Sequence, residues 1–361
     1  MIFIIFLLSF ILATILNPLV CKLALRLKIV DVFGKQERKI HKKTTPLLGG
    51  LVIFFTFFII LFIVRQTTWW PVDKVLDKHL IGLFLAGSLL MIGGFLDDKY
   101  NLKPVQAIIC PILACLVVII SGIGIEYINN PFGPGYLHFD NIKIELIRIK
   151  GMPYYFTPWA DLITFLWLMI LMYSTKFLDG LDGLVSGTTV IGALVLAGLC
   201  FFTQFYQPDV GLMALILAGA ALGFLFFNFH PAKIFLGEGG SLFAGFILGS
   251  LAIISGGKVA TTFLILGLAI IDLISVIIQR IFIAHVSPFK GDKKHFHFRL
   301  LEMGFSHRLA VIFYWSIALI FGLTALFLQT KGKIVALIVL IVIGTGLINC
   351  ISLKKEKSIR N

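Results

Sequence analysis

Apolar stretches of about 18 to 22 residues recur along the whole chain, separated by short segments rich in charge, glycine and proline. An α-helix rises about 1.5 Å per residue, so each stretch can cross the roughly 30 Å hydrocarbon core of a bilayer. The pattern predicts an all-α membrane protein with about eleven transmembrane helices. The predicted helices cover residues 2–21, 47–64, 80–96, 104–122, 159–178, 184–203, 210–228, 240–256, 260–283, 308–328 and 333–352.

The composition agrees with this prediction. Of the 361 residues, 59% are hydrophobic and 14% are charged, and the mean hydropathy of +1.01 lies far above that of soluble domains. The first stretch has no basic segment before it and no small-residue cleavage site, so we interpret it as a retained helix rather than a signal peptide. We predict one polytopic membrane domain over residues 1–361, with an outer loop at 123–158 that contains a small hairpin.

Lysine and arginine are divided unevenly between the two faces. With the amino terminus outside, 22 of the 31 lie on one face and nine on the other, and basic residues concentrate on the cytoplasmic side of membrane proteins. The net charge of +13 therefore indicates the topology first of all. It also suits binding of anionic lipid or phosphate, and we expect no nucleic acid as a partner. The five cysteines lie in or beside apolar stretches without metal-ligand spacing, and we interpret them as packing residues.

Acidic residues gather at helix ends on the predicted cytoplasmic face. The third stretch ends in Asp97 and Asp98, which repel each other unless a cation or a bound proton is present. Such a pair suits a divalent metal or a general base, with a solvated helix end as the alternative. After the fifth stretch, Asp179 and Asp182 each precede a glycine, and a helical turn would place both carboxylates on one side. A purely structural turn is the alternative there.

Two further segments on this face combine glycine with charge. The first loop contains a basic cluster over residues 38–43 before Gly49 and Gly50, which suits anionic lipid or a nucleotide diphosphate, or simply marks the cytoplasmic side. Residues 237–240 would let backbone N–H groups approach phosphate, while Glu238 offers an oxygen ligand to a metal.

Two histidines and a buried acid complete the candidate chemistry. His295 and His297 lie among lysine and arginine residues, which suits a diphosphate better than a zinc ion. Asp272 falls inside the ninth apolar stretch, where an acid is costly, so we expect it to have a partner such as Arg280 or a residue of another helix.

Taken together, these residues resemble the polyprenyl-phosphate N-acetylhexosamine-1-phosphate transferase superfamily, which includes the WecA-like and the MraY-like enzymes. The resemblance extends from the first cytoplasmic loop to residue 308, with the motifs in matching order. It is carried by residues 38–41, Asp97-Asp98, residues 179–183, Asn228 with Pro231 and Ala232, the Phe-Leu-Gly-acid-x-Gly-Ser stretch at 235–241, and His295 with His297.

The resemblance implies a bacterial inner-membrane enzyme with its active site on the cytoplasmic face. Such an enzyme transfers N-acetylhexosamine 1-phosphate, here expected to be GlcNAc 1-phosphate, from a UDP-sugar to a polyprenyl phosphate, with Mg2+ or alternatively Mn2+ as cofactor. The resemblance also implies a homodimer. The residues implied to bind substrate are Lys39, His41, Lys176, Asn228, His295, His297 and Arg299.

By the same resemblance, Asp97 would accept a proton from the lipid phosphate or orient it, and Asp98 would assist it or hold metal. Asp179 and Asp182 would fix the nucleotide and the metal-bound diphosphate. The implied metal ligands are Glu238, Asp98 and Asp179.

Three positions depart from the superfamily pattern. Many members carry Asn-x-x-Asn where this chain has Tyr173 and Lys176, and the usual Asp is replaced by Glu238. A protonated lysine cannot ligate Mg2+, and the longer acid moves a ligand oxygen by roughly 1 Å. The third departure, at His295 and His297, fits a WecA-like better than an MraY-like enzyme.

These departures leave several hypotheses open. Lys176 replaces part of the metal's charge while Glu238 reaches a shifted ion, or the site has lost metal and activity and the protein only binds lipid phosphate. An MraY-like transferase of phospho-N-acetylmuramoyl-pentapeptide is a second enzymatic alternative. A transporter is a third, which the acids at helix ends rather than at mid-bilayer do not favour.

Overall fold

A computed structural model describes residues 2–31, 44–71, 75–130, 133, 135–149, 152–203, 206–256, 259–283, 285 and 295–360. Helices dominate these residues, as predicted. The elements in chain order are α1 (Ile2–Arg26), β1 (Val30–Asp31), β2 (Thr45–Pro46), α2 (Gly50–Arg65), α3 (Asp77–Tyr100), α4 (Pro104–Ala107), α5 (Ile109–Ile120), β3 (Tyr127–Asn129), β4 (Tyr136–His138), β5 (Ile144–Ile149), β6 (Met152–Phe156), α6 (Pro158–Leu178), α7 (Leu184–Phe202), α8 (Pro208–Asn228), α9 (Gly237–Ile254), α10 (Val259–Ile278), a π-helical turn (Gln279–Ile283), α11 (Phe296–Glu302), α12 (His307–Phe327) and α13 (Thr330–Arg360).

Nine helices within the described ranges are long and apolar enough to cross a membrane. They are α1, α3, α6, α7, α8, α9, α10 with the start of the π-helical turn, α12 and the first part of α13. Two predicted stretches, 47–64 and 104–122, correspond to the shorter apolar helices Gly50–Arg65 and Pro104–Ile120. The multi-helix membrane architecture is confirmed, while the count of eleven crossings stays a prediction.

The first helix is longer than predicted. The apolar pattern predicted its end at residue 21, yet α1 continues to Arg26 with Pro18 inside it. The Asn17 side chain donates to the Ala13 carbonyl at 2.9 Å and to the Gly223 carbonyl of α8 at 3.2 Å. The Nδ2 group of this buried asparagine is therefore hydrogen-bonded without any break in the helix.

The core of the bundle is formed by α7, α8 and α9, whose residues are mostly buried, whereas α1 and α13 are mostly exposed on the outside. Small residues bring the helices close together. A Cβ on Gly219 or Gly223 of α8 would lie 2.5 or 2.6 Å from a backbone carbonyl oxygen of α1. Close backbone packing of this kind is common where hydrophobic burial between helices is weak, as in a bilayer.

Among the described residues, three short antiparallel strand pairs lie between the helices. β1 pairs with β2, β3 with β4, and β5 with β6. The second and third pairs occupy the predicted outer loop at 123–158. The basic loop between β1 and β2, with Lys39 and His41, lies outside the described residues.

Candidate active site

The helix ends that carry the candidate chemistry meet at one end of the bundle. The carboxyl ends of α3, α6 and α8 and the amino ends of α7, α9 and α12 are joined there by side-chain contacts. Successive helices of a bundle run in opposite directions, so segments far apart in sequence return to the same end.

Asp98, in the last turn of α3, is held against the start of α9. Its two carboxylate oxygens accept the backbone N–H of Glu238 at 3.2 and 3.3 Å. This N–H is one of the unpaired donors of a helix amino terminus, where a negative charge is favoured. Gly237 has φ +77°, and a Cβ there would lie 2.7 Å from Asp98 Oδ2. The close approach of Asp98 to α9 therefore requires a glycine at 237.

The glycine pairs serve helix packing rather than phosphate binding. Gly49 and Gly50 donate their N–H groups to the carbonyls of Phe235 and Leu236 at 2.9 and 2.7 Å. A Cβ on Gly50 would collide with the backbone of Gly240 on α9. The hypothesis of a phosphate cradle at Gly49 and Gly50 is thus wrong, because both donors are already used within the protein.

Lys176, in the last turn of α6, lies between two acids. Its Nζ is 2.8 Å from Glu238 Oε2 and 3.6 Å from Asp97 Oδ2. The other Asp97 oxygen accepts the backbone N–H of Leu102 at 3.0 Å. Two of the departures from the superfamily pattern, Lys176 and Glu238, are therefore an ion pair with each other.

The implied metal ligands do not fit a shared divalent ion in this arrangement. Asp98 faces the Glu238 N–H, and Glu238 is paired with the Lys176 ammonium. Among the described residues, the oxygens of Asp98, Asp179 and Glu238 are not gathered closely enough to form a metal-holding group. A fixed ammonium beside them also opposes a dication by charge repulsion.

Asp179 follows the end of α6 and opens onto this cleft. The residue is exposed to solvent, although protein atoms surround its carboxylate. Desolvation, together with the nearby carboxylates of Glu238 and Asp182, raises its pKa to about 8. Asp179 is therefore placed to hold or release a proton near neutral pH.

Asp182 is engaged in a network that the sequence did not reveal. Its Oδ2 lies 2.7 Å from His230 Nδ1 and accepts the Ala232 N–H at 3.1 Å. Its own backbone N–H donates to His307 Nε2 at 2.8 Å. The rings of His230 and His307 stack with centroids 4.1 Å apart, and the Nε of Arg308 donates to the His230 carbonyl at 3.1 Å.

Within the described ranges, Asp182, His230 and His307 form the one group whose ligand atoms are close enough to share a metal ion. Each of these atoms already takes part in a hydrogen bond, so the group fits a positioning network. His230 lies between Asn228 and Pro231, inside a motif that the sequence did single out, and that position was the available signal for it.

Asn228 was predicted to bind substrate, but its side-chain amide makes its hydrogen bonds to other residues of the protein. Its Oδ1 accepts the Gly183 N–H at 3.1 Å and the Ser186 hydroxyl at 2.8 Å. Its Nδ2 donates to the Ile234 carbonyl at 3.0 Å. Asn228 therefore ties the end of the Asp-Gly turn to the loop before α9, and it acts here as a positioning residue.

Asp272 was expected to pair with Arg280 or with a residue of another helix. The structure gives it partners at the start of α11. Its Oδ2 lies 2.8 Å from His295 Nδ1, and its Oδ1 accepts the Phe296 N–H at the start of α11 at 2.9 Å. The His295 ring stacks on Phe177, with centroids 5.4 Å apart.

His297 lies inside the protein against the Asp-Gly turn, where a Cβ on Gly180 would collide with its ring. Burial lowers its pKa to about 3, so the ring is neutral. A neutral imidazole still carries one N–H donor, so the predicted hydrogen bond from His297 to a diphosphate stays a prediction. Arg299 is buried, and its Nη2 lies 3.5 Å from Gln279 Oε1.

A family model and several known proteins are similar to most or about half of this chain. The family model described as glycosyl transferase family 4 matches residues 80–256. The probable undecaprenyl-phosphate N-acetylglucosaminyl 1-phosphate transferase of Bacillus subtilis (strain 168) is 28% identical over 360 residues, which cover 95% of this chain and 92% of the relative.

Two further relatives align over most of their length. The decaprenyl-phosphate N-acetylglucosaminephosphotransferase of Mycolicibacterium smegmatis is 28% identical over 344 residues, covering 85% of this chain and 79% of the relative. The phospho-N-acetylmuramoyl-pentapeptide-transferase of Desulforamulus reducens is 30% identical over 356 residues, covering 88% of this chain and 92% of the relative.

Proposed function

The chain belongs to glycosyl transferase family 4, and we propose that it transfers N-acetylglucosamine 1-phosphate from UDP-N-acetylglucosamine to undecaprenyl phosphate or a related polyprenyl phosphate. The relatives whose names state this activity align with most of the chain. The observation that carries the proposal is the meeting of Asp97, Lys176, Glu238 and Asp179 at one end of an apolar helix bundle. Charged residues at the end of an apolar helix bundle can be reached both by a phosphate on a membrane lipid and by a nucleotide in solution.

The reaction joins two phosphates. A phosphate oxygen of the lipid forms a bond to the phosphorus nearest the sugar, and the bond from that phosphorus to its bridging oxygen breaks. The electron pair leaves on UMP, and the other product is polyprenyl diphosphate N-acetylglucosamine. Because little covalent chemistry is left to the protein, catalysis depends on positioning and on neutralising phosphate charge.

Within this proposal, Asp97 orients the lipid phosphate or takes its proton, and Asp179 contacts the donor diphosphate. Asp98 and Asn228 hold the loops that present them, since their hydrogen bonds fix α9 and the Asp-Gly turn. Asp182 has the same positioning role through His230 and His307.

The proposal includes eleven membrane crossings in a single domain of a bacterial inner membrane, with the amino terminus outside and the site on the cytoplasmic face. The basic residues, 22 of the 31 on that face, support this orientation. The apolar helices Gly50–Arg65 and Pro104–Ile120 supply the tenth and eleventh crossings. A homodimer is proposed from the resemblance alone.

The test is UMP release by the purified protein in detergent with undecaprenyl phosphate and a panel of donors. We expect release with UDP-N-acetylglucosamine. Release only with UDP-N-acetylmuramoyl-pentapeptide would move the assignment to the second kind of relative, which is 30% identical to this chain. No release with any donor, from a protein shown to be folded, would favour an inactive relative that binds lipid phosphate.

A further inference from the structure

We propose that Lys176 provides, as a fixed ammonium, the positive charge that receives the donor diphosphate, so that binding at this point needs no divalent ion held by Glu238. The inference rests on the proposed function, since it takes the donor to be a nucleoside diphosphate sugar. It concerns which group neutralises the phosphate oxygens, a question that the family relationship leaves open.

The position of the ammonium supports this assignment. Lys176 Nζ lies 2.8 Å from Glu238, which the resemblance implies as a metal ligand, and 3.6 Å from Asp97, which it implies as the acid that orients the lipid phosphate. The Lys176 side chain is only 19% exposed, so the charge is held in the cleft and not in bulk solvent. Nζ also lies 5.9 Å from the ring centroid of Tyr173, which favours a cation there. Both substituted positions of the Asn-x-x-Asn pattern thus help to place one positive charge.

Glu238 has a length that suits this pairing. Its backbone N–H is fixed on Asp98, and its side chain must reach from that anchor to Lys176. An aspartate is one methylene shorter, so its carboxylate would end short of Nζ with the backbone unmoved. Glu238 is 35% exposed and is the more accessible partner of the pair. A diphosphate oxygen can therefore replace the Glu238 carboxylate on Nζ while Glu238 turns toward solvent.

The charges of the groups involved also favour Lys176, rather than a divalent ion, as the partner of the diphosphate. An ammonium has three N–H donors and no acceptor, and it can exchange a carboxylate for a phosphate without any change in its own charge. A divalent ion bound to Glu238 would have to displace Lys176 or stand beside it, where the two cations repel each other. Glu238 can therefore pair with the Lys176 ammonium or bind a divalent ion, but it cannot do both at once. The structure has the ion pair with Lys176.

Binding of UDP, measured by calorimetry in EDTA and again in Mg2+, tests the inference without relying on turnover. For the unaltered protein we expect the two dissociation constants to agree within about threefold. Lys176→Met should weaken UDP binding in EDTA by about thirtyfold, since charge-assisted hydrogen bonds are lost. Lys176→Arg, which keeps the charge, should stay within about fivefold of the parent. The matched control is Lys22→Met, at an exposed lysine of α1, which should bind UDP as the parent does.

A double variant, Lys176→Asn with Glu238→Asp, sharpens the test because it removes the ammonium and restores the residue types of many relatives. We expect its UDP binding to be weak in EDTA and to recover by about tenfold or more in Mg2+. Loss of UDP binding by the parent in EDTA with recovery in Mg2+ would overturn the inference, as would unchanged binding in Lys176→Met. No UDP binding by the parent in either buffer would overturn it as well.

The outcomes separate this inference from the proposed function. A parent protein that binds UDP in EDTA but releases no UMP with any donor contradicts the transferase activity and supports the Lys176 assignment. A parent that releases UMP only with Mg2+ and binds UDP only with Mg2+ supports the activity and contradicts the Lys176 assignment. Elution of each variant as a single monodisperse species confirms that it is folded.

Discussion

The candidate site has two halves, one held together by ion pairs and the other by hydrogen bonds. In one half, Asp97, Lys176 and Glu238 hold opposite charges close together at a cleft that is open to solvent. In the other half, Asp182, His230 and His307 are joined by hydrogen bonds that use the atoms facing one another. The charged half can exchange its internal partners for a phosphate, whereas the hydrogen bonds of the other half connect three segments of the chain and hold them in place.

This contrast explains why the acids of the site are not equivalent. Asp97 has one oxygen toward Lys176 at 3.6 Å, a contact that a ligand can displace. Asp182 has one oxygen shared between His230 and the Ala232 N–H, and breaking those bonds would leave partly buried polar groups unpaired. We therefore expect substitutions in the charged half to change activity more than stability, and those in the other half to do the reverse.

The largest effect is expected for Asp97→Asn. Removing a general base or an orienting carboxylate lowers turnover by about 100-fold to 10,000-fold, and UMP release at saturating donor measures it. Asp77→Asn, at the opposite and exposed end of α3, is the matched control and should keep full activity. A folded Asp97→Asn protein within about threefold of the parent would place the reaction outside the charged half.

Asn228→Ala tests the hydrogen-bonded side of the comparison. The change leaves the Gly183 N–H, the Ser186 hydroxyl and the Ile234 carbonyl without their shared partner. We expect a loss of about 2–4 kcal/mol in the free energy of unfolding, because buried polar groups without partners are costly. Thermal unfolding in detergent measures it. Asn141→Ala, at an exposed asparagine, should change stability by less than about 0.5 kcal/mol, and equal losses in the two variants would contradict the role of Asn228.

Gly237→Ala measures how tightly α9, which carries Glu238 of the charged half, is anchored to α3. The left-handed backbone at φ +77° costs an alanine about 1–2 kcal/mol, and the added methyl also meets Asp98 Oδ2. Gly304→Ala separates these effects, since Gly304 has φ +92° and an added Cβ meets nothing within 4 Å. A larger loss of stability in Gly237→Ala than in Gly304→Ala is the expected result, and equal losses would show that the Asp98 contact does not constrain residue 237.

The smallest effect concerns the pH dependence of stability at His297. Its folded-state pKa of about 3 lies below the usual value near 6.5, so the unfolded chain binds the extra proton first as the pH falls. The folded state should therefore lose about 1 kcal/mol between pH 7.5 and 5.5 through this residue. His297→Gln should lack that loss, while His138→Gln, at an exposed histidine, should keep it. A pH dependence unaltered by His297→Gln would contradict the buried, neutral ring.

Several parts of the site were predictable because they lie within one segment. Asp97 and Asp98, the Asp179-Gly180 step and Glu238 each stand at the end of an apolar stretch, and the alternation of helices brings such ends together. His230 and His307 escaped notice because their importance depends on one contact with Asp182, from residues that are distant in the chain. The glycines at 49 and 50 were misinterpreted for the same reason, since their partners lie at Phe235 and Leu236.

The sequence by itself determined that this is a multi-helix membrane protein, roughly where its helices lie, and which reactive residue types stand at their ends. Those features follow from local hydropathy and backbone hydrogen bonding, which each segment carries alone. Only the tertiary structure decided that Lys176 pairs with Glu238, that Asn228 and Asp182 are tied within the protein, and that His297 is buried and neutral. Pairing, burial and charge are properties of neighbours in space, and packing of the helices creates those neighbours.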